Sequence, residues 1–305
     1  MQLPEDYFDQ NDSVNRCLLC GNPKYVVRQH LTHFGIPLTF QQCQCGLIKQ
    51  TPMPNEKFFE WFFNSEYFFE SKSNQDENIW GYDDYFADEP SRLATSRLRF
   101  KKINKYIDIK PGATLLKIGP ATGTFLHVAK EAGLQVRGSD VSNQFANYAR
   151  ENYHVEIDIG RFEQQNYAEN SFDYLILFNV IENVPNLDVF MEAISRVVNV
   201  GGYFIFNHVR MDYNFFEFIQ GKKYFMYRPP MCYMFAGESL KGMMMKYRFQ
   251  EKHTILDIRF MTPEKILGLL GWKKTKRLFQ AMGLGKLMFP IYAYPSSITI
   301  AKNIK

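Results

Sequence analysis

A chain of 305 residues suits one large domain with additions, or two domains, and its 46% apolar content is that of an ordinary globular protein. No run approaches the ~18 apolar residues of a transmembrane helix, and the polar start Met1–Gln10 is unlike a secretory signal, so a cytoplasmic protein is expected. The net charge of +4 is too small to argue for a nucleic-acid binder, although residues 211–305 carry 16 Lys+Arg against 6 Asp+Glu.

Residues 12–55 read as the first unit. Cys17-Leu-Leu-Cys20-Gly21 and Cys43-Gln-Cys45-Gly46 are separated by strand-like runs at Tyr25–Arg28 and Ile36–Gln42. Two such knuckles can offer four thiolates to a structural Zn²⁺, which would do much of the folding of so small a unit. The single residue between Cys43 and Cys45 strains that geometry, and His30 or His33 can stand in for one cysteine. Residues 56–110 read as an aromatic connector, with a helix around Phe58–Phe63, a polar loop at Ser71–Glu77 and a second helix over Ser91–Tyr106.

From residue 111 strands and helices alternate. Strands are expected at Thr114–Ile118, Gln135–Gly138, Val155–Ile159, Phe172–Phe178 and Tyr203–Phe206. Helices are expected at Phe125–Ala132, Asn143–Asn152 and Leu187–Val198, and Gly201–Gly202 reads as a turn. The pattern predicts an α/β fold, a Rossmann-like, doubly wound, mostly parallel sheet, over a core of 111–210. Residues 211–305 are less regular, with helices at Glu238–Tyr247, Thr262–Leu270 and Lys273–Met282 and a strand at Ser297–Ala301. They suit a cap that completes the sheet.

In such a sheet a ligand lies beyond the carboxyl ends of the strands. The first strand ends in Gly119-Pro-Ala121-Thr-Gly123, small residues that let backbone N–H groups approach a ligand at a helix N-terminus. The second ends in Asp140-Val141, where a carboxylate can accept two ribose hydroxyls or cap the next helix. The third ends in Gly160-Arg161-Phe162, which can bring a backbone amide and a ring edge beside a base, or leave Phe162 in the core. The fourth ends in Asn179-Val180-Ile181-Glu182-Asn183.

Taken together and in order, these stretches resemble the class I S-adenosylmethionine-dependent methyltransferases. LLKIGPATGTFL is similar to the family's first motif, SFDYLILFNVIENVPN to its fourth-strand motif, and VNVGGYFIF to the glycine pair before its fifth strand. The resemblance implies S-adenosylmethionine as cofactor, held by Gly119, Ala121, Gly123, Asp140, Val141, Arg161, Phe162 and Asn179. The cysteine knuckles with Pro52 and Pro54, and the segment Arg228–Phe235, are similar to parts of some small-molecule and sugar methyltransferases. This implies a small-molecule methyl acceptor, plausibly a sugar or glycan precursor.

The chain departs from that pattern at Lys117, which stands where the family carries an acid for the cofactor's ammonium group, and at Asn183, Met231 and Cys232. Candidate bases are His208 and Glu182, each with a purely structural alternative, and Tyr82 and Tyr85 can close over the cofactor. Two other readings remain: a non-catalytic binding or scaffold protein that keeps the fold, and a nucleic-acid methyltransferase using the basic C-terminal region.

Overall fold

The computed structural model describes residues 3–9, 16–65, 68, 85–212, 215–224, 226–269, 275, 279, 282 and 284–305. The polar loop Ser71–Glu77, Tyr82 and most of the expected helix Lys273–Met282 lie outside them. Among the described residues no helix is long and apolar enough to cross a membrane.

The main sheet has seven strands. Its parallel part is β6 (Thr114–Ile118), β7 (Gln135–Asp140), β8 (Ile157–Ile159), β9 (Phe172–Leu177) and β10 (Val198–Val209). Strands β12 (Phe249–Met261) and β13 (Phe289–Asn303) complete it, in the order β12-β13-β10-β9-β6-β7-β8. Strand β13 runs antiparallel to both neighbours, β10 and β12. The order reverses between β6 and β9, which opens a crevice at their carboxyl ends. Helices Glu89–Ile107, Thr124–Glu131, Asn143–Tyr153 and Leu187–Val197 cover the sheet. The last of these starts at Asn186, whose side chain accepts the Val189 N–H at 3.2 Å, and it buries Leu187, Phe190, Met191, Ile194 and Val197 along one face.

Two expectations at the C-terminal side need correction. Gly201–Gly202 does not interrupt a helix-to-strand turn; β10 already begins at Val198 and runs through the pair. The pairing with β9 jumps between Val198 and Tyr203, so the glycines form a bulge, and Gly201 takes φ +79°. The second correction is β12, a thirteen-residue strand where only an irregular cap was expected. Bulges reset its register at Glu251/His253 and Leu256/Ile258. Asp257 shares the inward face with Ile255 by simple alternation, so it is fully buried while Leu256 is half exposed, the reverse of what the polarity of those two residues suggests.

A second, four-stranded sheet holds the N-terminal cysteines: β2 (Tyr25–His33), β3 (Ile36–Cys43), β4 (Leu47–Thr51) and β11 (Tyr233–Phe235), in the order β11-β4-β3-β2. A strand from residue 233 thus joins a sheet built near residue 40. The fit is close: a Cβ at Gly46 would lie 2.0 Å from the Ala236 carbonyl oxygen. The connector helix Glu56–Asn64 packs Phe58 and Phe62, stacked with ring centres 5.5 Å apart, toward Phe68 and Tyr85. Tyr85 meets Phe145 of the sheet domain at 4.9 Å, so the aromatic run ties the small sheet's exit to the main core.

Candidate functional site

The turn after β6 brings the first set of expected residues together. Gly119, Ala121 and Gly123 all have left-handed backbones, with φ of +61°, +51° and +86°. Glycine is required at both ends of the turn. A Cβ at Gly119 would come within 2.6 Å of Val180 Cγ2, and one at Gly123 within 2.8 Å of Ala149 Cβ. Ala121 adopts the same region with a side chain, a conformation that costs about 1–2 kcal/mol.

The Ala121 N–H donates to Asp140 Oδ2 at 3.1 Å, and the Ser142 N–H donates to Oδ1 at 3.0 Å. Asp140 thus fastens the glycine turn and holds the N–H of Ser142, the residue that precedes the helix Asn143–Tyr153. Burial pushes its carboxyl up to about 6, against the pull of those two N–H groups and of Lys117. Each oxygen takes one hydrogen bond from the backbone, and a carboxylate oxygen can accept a second from a ribose hydroxyl.

Lys117 lies beneath the turn and is 4% exposed. Its ammonium sits 4.8 Å from the Phe178 ring centre and donates to the Gly119 carbonyl at 3.3 Å, so it points along its own turn. Burial pulls Lys117 down to about 7, Arg99 pulls it further and Asp140 opposes both. Its charged form is thus disfavoured in this place.

The residues expected around an adenine divide. Val141 is half-buried, and its carbonyl accepts from Asn64 Nδ2 at 3.3 Å. Arg161 is held by Glu163 and Glu56. The Phe162 ring is buried against Tyr167 and Phe190, so only its backbone remains to face a ligand. Tyr85, 7% exposed, carries the Arg92 guanidinium 3.4 Å from its ring centre.

At the end of β9, Asn179 has φ +57° and is exposed. Its N–H donates to Asn207 Oδ1 at 2.6 Å, and its Oδ1 accepts from Asn207 Nδ2 at 2.9 Å and from Arg259 Nη2 at 3.1 Å. Asn207, Arg259, Arg99 and Asp257 went unrecognised in the sequence. Arg99 grips Asp257 with two bonds of 2.9 and 2.7 Å, and Arg259 adds bonds of 3.1 and 2.9 Å. Burial pushes the Asp257 carboxyl up, but the two guanidinium groups outweigh it and hold it well below the usual carboxylate range.

Glu182 follows in the loop after β9. It is 4% exposed, and its Oε1 accepts the Val209 N–H at 3.0 Å. Burial pushes its carboxyl up to about 7, with the Val209 N–H and Arg259 acting the other way. His208, on β10, is equally buried. Its Nε2 pairs with Thr299 Oγ1 at 3.1 Å, Nδ1 has no partner among the described residues, and burial pushes the ring down to about 4.

The four clustered cysteines converge. Their sulfurs all lie within 4.8 Å of one another, with Cys17–Cys45 at 3.6 Å and Cys20–Cys43 at 3.4 Å. Tetrahedral Zn–S bonds of ~2.3 Å separate sulfurs by roughly 3.8 Å, so this donor set fits Zn²⁺ and a zinc-ribbon-like unit. The one-residue knuckle closes because Gly46 takes φ +95° and donates its N–H to the Cys43 carbonyl at 2.9 Å. The histidines stay outside: His30 pairs with Thr39 and His33 with the Tyr227 carbonyl.

The sheet domain has counterparts among known proteins. Residues 116–206 match the family described as "Methyltransferase domain". Over 109 residues the chain is 32% identical to phosphoethanolamine N-methyltransferase 2 of Caenorhabditis elegans, covering 33% of this chain and 25% of that protein. The fold is similar to magnesium protoporphyrin IX methyltransferase from Synechocystis PCC 6803 solved with bound SAH (TM-score 0.51, 11% identity, 82% of this chain and 100% of that one). It is also similar to a chain from a complex of a methyltransferase with a methyltransferase activator from Haloferax volcanii (TM-score 0.52, 14% identity, 76% and 100%).

Proposed function

We propose that this chain, a member of the class I S-adenosylmethionine-dependent methyltransferases by its match over residues 116–206 and its sheet order, transfers a methyl group to a small molecule. The observation that carries this is the Ala121–Asp140 hydrogen bond of 3.1 Å, which fastens a left-handed glycine turn at the switch point of the sheet. In this reading Gly119, Ala121, Gly123 and Asn179 hold the cofactor's amino-acid and ribose end. Asp140 accepts the ribose hydroxyls, and Val141, Arg161 and the Phe162 backbone flank the adenine. Bound there, S-adenosylmethionine supplies an electrophilic methyl group.

The chain's own work is to position the acceptor and to take a proton. Glu182 is the better proton acceptor, because a carboxyl raised to about 7 is partly ionised at neutral pH and basic enough to be useful. His208, hydrogen-bonded to Thr299, is the alternative. A relative named for phosphoethanolamine, and the ribbon resemblance to sugar methyltransferases, both favour a small acceptor. The four cysteines in this reading hold one structural Zn²⁺, which metal analysis of the purified protein should find at one ion per chain.

Isothermal titration with S-adenosylhomocysteine tests the cofactor assignment; no heat at millimolar ligand overturns it. A non-catalytic binding role is the second reading, favoured by Lys117 where an acid would hold the cofactor's ammonium. It predicts cofactor binding without methyl transfer to any acceptor.

A further inference from the structure

The cluster around Asp257 carries more positive charge than it needs. Asp257 is fully buried and accepts from Arg99, Arg259, Asn207 and Ser296. Arg99 alone makes the paired, two-pronged contact that neutralises a carboxylate, and its side chain is only 10% exposed. The Arg259 charge is therefore in excess. Its side chain is 32% exposed, and Nε and Nη2 are used by Asp257 and Asn179. Its other amino group, Nη1, has no partner among the described residues.

The position of this open arm matters. Asn179 lies two residues beyond β9, next to Phe178, whose ring touches both Lys117 and Arg99. Val180, one residue on, closes against Gly119. Arg259 also acts electrostatically on Glu182. A guanidinium with a free N–H edge is thus bonded to Asn179, whose neighbour closes on the glycine turn, and acts on the candidate base. The side chain is held rigidly, since the Phe260 N–H is fixed to Thr95 Oγ1 at 2.9 Å and Asp257 fixes the guanidinium plane. A pre-oriented guanidinium in a partly dry site recognises planar or tetrahedral oxyanions.

We propose that Arg259 is an anion-recognition residue of the strand-end site, binding a carboxylate or phosphate group of a ligand through its Nη1 edge. This deepens the methyltransferase reading and rests on it. The oxyanion has two sources, the carboxylate of the cofactor's amino-acid end or an anionic group on the acceptor.

The test compares wild-type protein with Arg259→Gln and Arg259→Lys by titration calorimetry. The probes are S-adenosylhomocysteine, 5′-methylthioadenosine (which lacks the carboxylate) and inorganic pyrophosphate. A cofactor source predicts that Arg259→Gln weakens S-adenosylhomocysteine about tenfold and leaves methylthioadenosine unchanged. An acceptor source predicts that both nucleosides bind as before and that millimolar pyrophosphate binding is lost. Arg259→Lys keeps the charge without the fork and should fall between. Thermal unfolding monitors folding, for which Arg99 still pairs with Asp257 in both variants. Unchanged nucleoside affinities together with unchanged or absent pyrophosphate binding overturn the assignment. If neither nucleoside binds wild-type protein, the cofactor reading fails, and Arg259-dependent pyrophosphate binding alone still supports the anion site.

Discussion

Two polar clusters flank the end of β6, and they differ in how they are built. The glycine turn with Asp140 is made within about two dozen residues of chain, and its acid is satisfied mainly by backbone N–H groups. The Arg99–Asp257–Arg259 cluster joins a helix and a strand 158 residues apart, and its acid is satisfied by charged side chains. The first is poised to exchange partners with a ligand, since N–H donors leave lone pairs free. The second is locked, because removing one charge strands another in a buried place. One cluster is thus suited to binding, and the other to holding its single open arm, Arg259, in register.

The sharpest way to break this distinction is to delete the two acids in parallel. Asp257→Ala leaves Arg99 buried without its partner and should cost about 3–5 kcal/mol of stability. Asp140→Ala removes hydrogen bonds to two N–H groups and should cost only about 1–2 kcal/mol, with its main effect on cofactor affinity. Urea unfolding with unchanged slope measures both. Equal costs would mean that Asp140 is as structural as Asp257.

Next in size is Glu182, the proposed proton acceptor. Glu182→Gln should lower the turnover number by about 10²-fold or more while cofactor binding persists. In wild-type protein the rate should rise with pH through about 7, as the Glu182 carboxyl ionises, and the variant should lose that limb. The stability sign is opposite. A carboxyl whose folded pKa is raised above 4.5 contributes stability below that value, lost as pH rises through about 7. A variant that retains both rate and pH profile passes the role to His208.

These clusters also mark how much could be read beforehand. The parallel core was legible because apolar strands, glycine stops and helices recur with short spacing; the expected Thr114–Ile118 is the observed β6. The positions of the glycine turn, Asp140 and Asn179 were legible because each lies at or just past the end of a strand. The cysteines were legible as a set, but their convergence needed the left-handed Gly46. Arg99 was not legible: in SRLRFKKINK it looks like one cation of a solvated helix face. Asp257 was hidden because in HTILDIRF the acid takes the inward position and Leu256 the outward one, the opposite of what their polarity suggests. Long-range ion pairs have no local signature, and β11 likewise joins the cysteine sheet with no spacing to announce it.

Lys117 lies between the two clusters and feels both. Lys117→Met keeps length and apolar contact with Phe178 while removing a buried amine, and should stabilise the protein by about 1–2 kcal/mol near neutral pH. The gain should be largest below pH 7 and vanish toward 10.5, because a lysine with a depressed folded pKa destabilises while the unfolded chain still binds its proton. Cofactor affinity in wild-type protein should rise several-fold from pH 6 to 8 as the amine loses its charge. The methionine variant should show no such rise. A pH-independent wild-type affinity would mean that the Lys117 ammonium does not act on the ligand.

The smallest change acts on the turn alone. Ala121 has φ +51°, and replacing it with glycine removes about 1–2 kcal/mol of left-handed strain. The glycine also frees the unfolded chain, at a cost of about 0.4–1 kcal/mol, so Ala121→Gly should stabilise by about 0.5–1 kcal/mol. The Ala121 N–H to Asp140 is a backbone contact and survives the change. Stability should therefore rise with cofactor affinity kept. If Ala121→Gly instead weakens the cofactor, the methyl group must restrict the turn to the one conformation in which Asp140 is held. The turn would then be as rigidly specified as the cluster behind it, by a side chain rather than by charge.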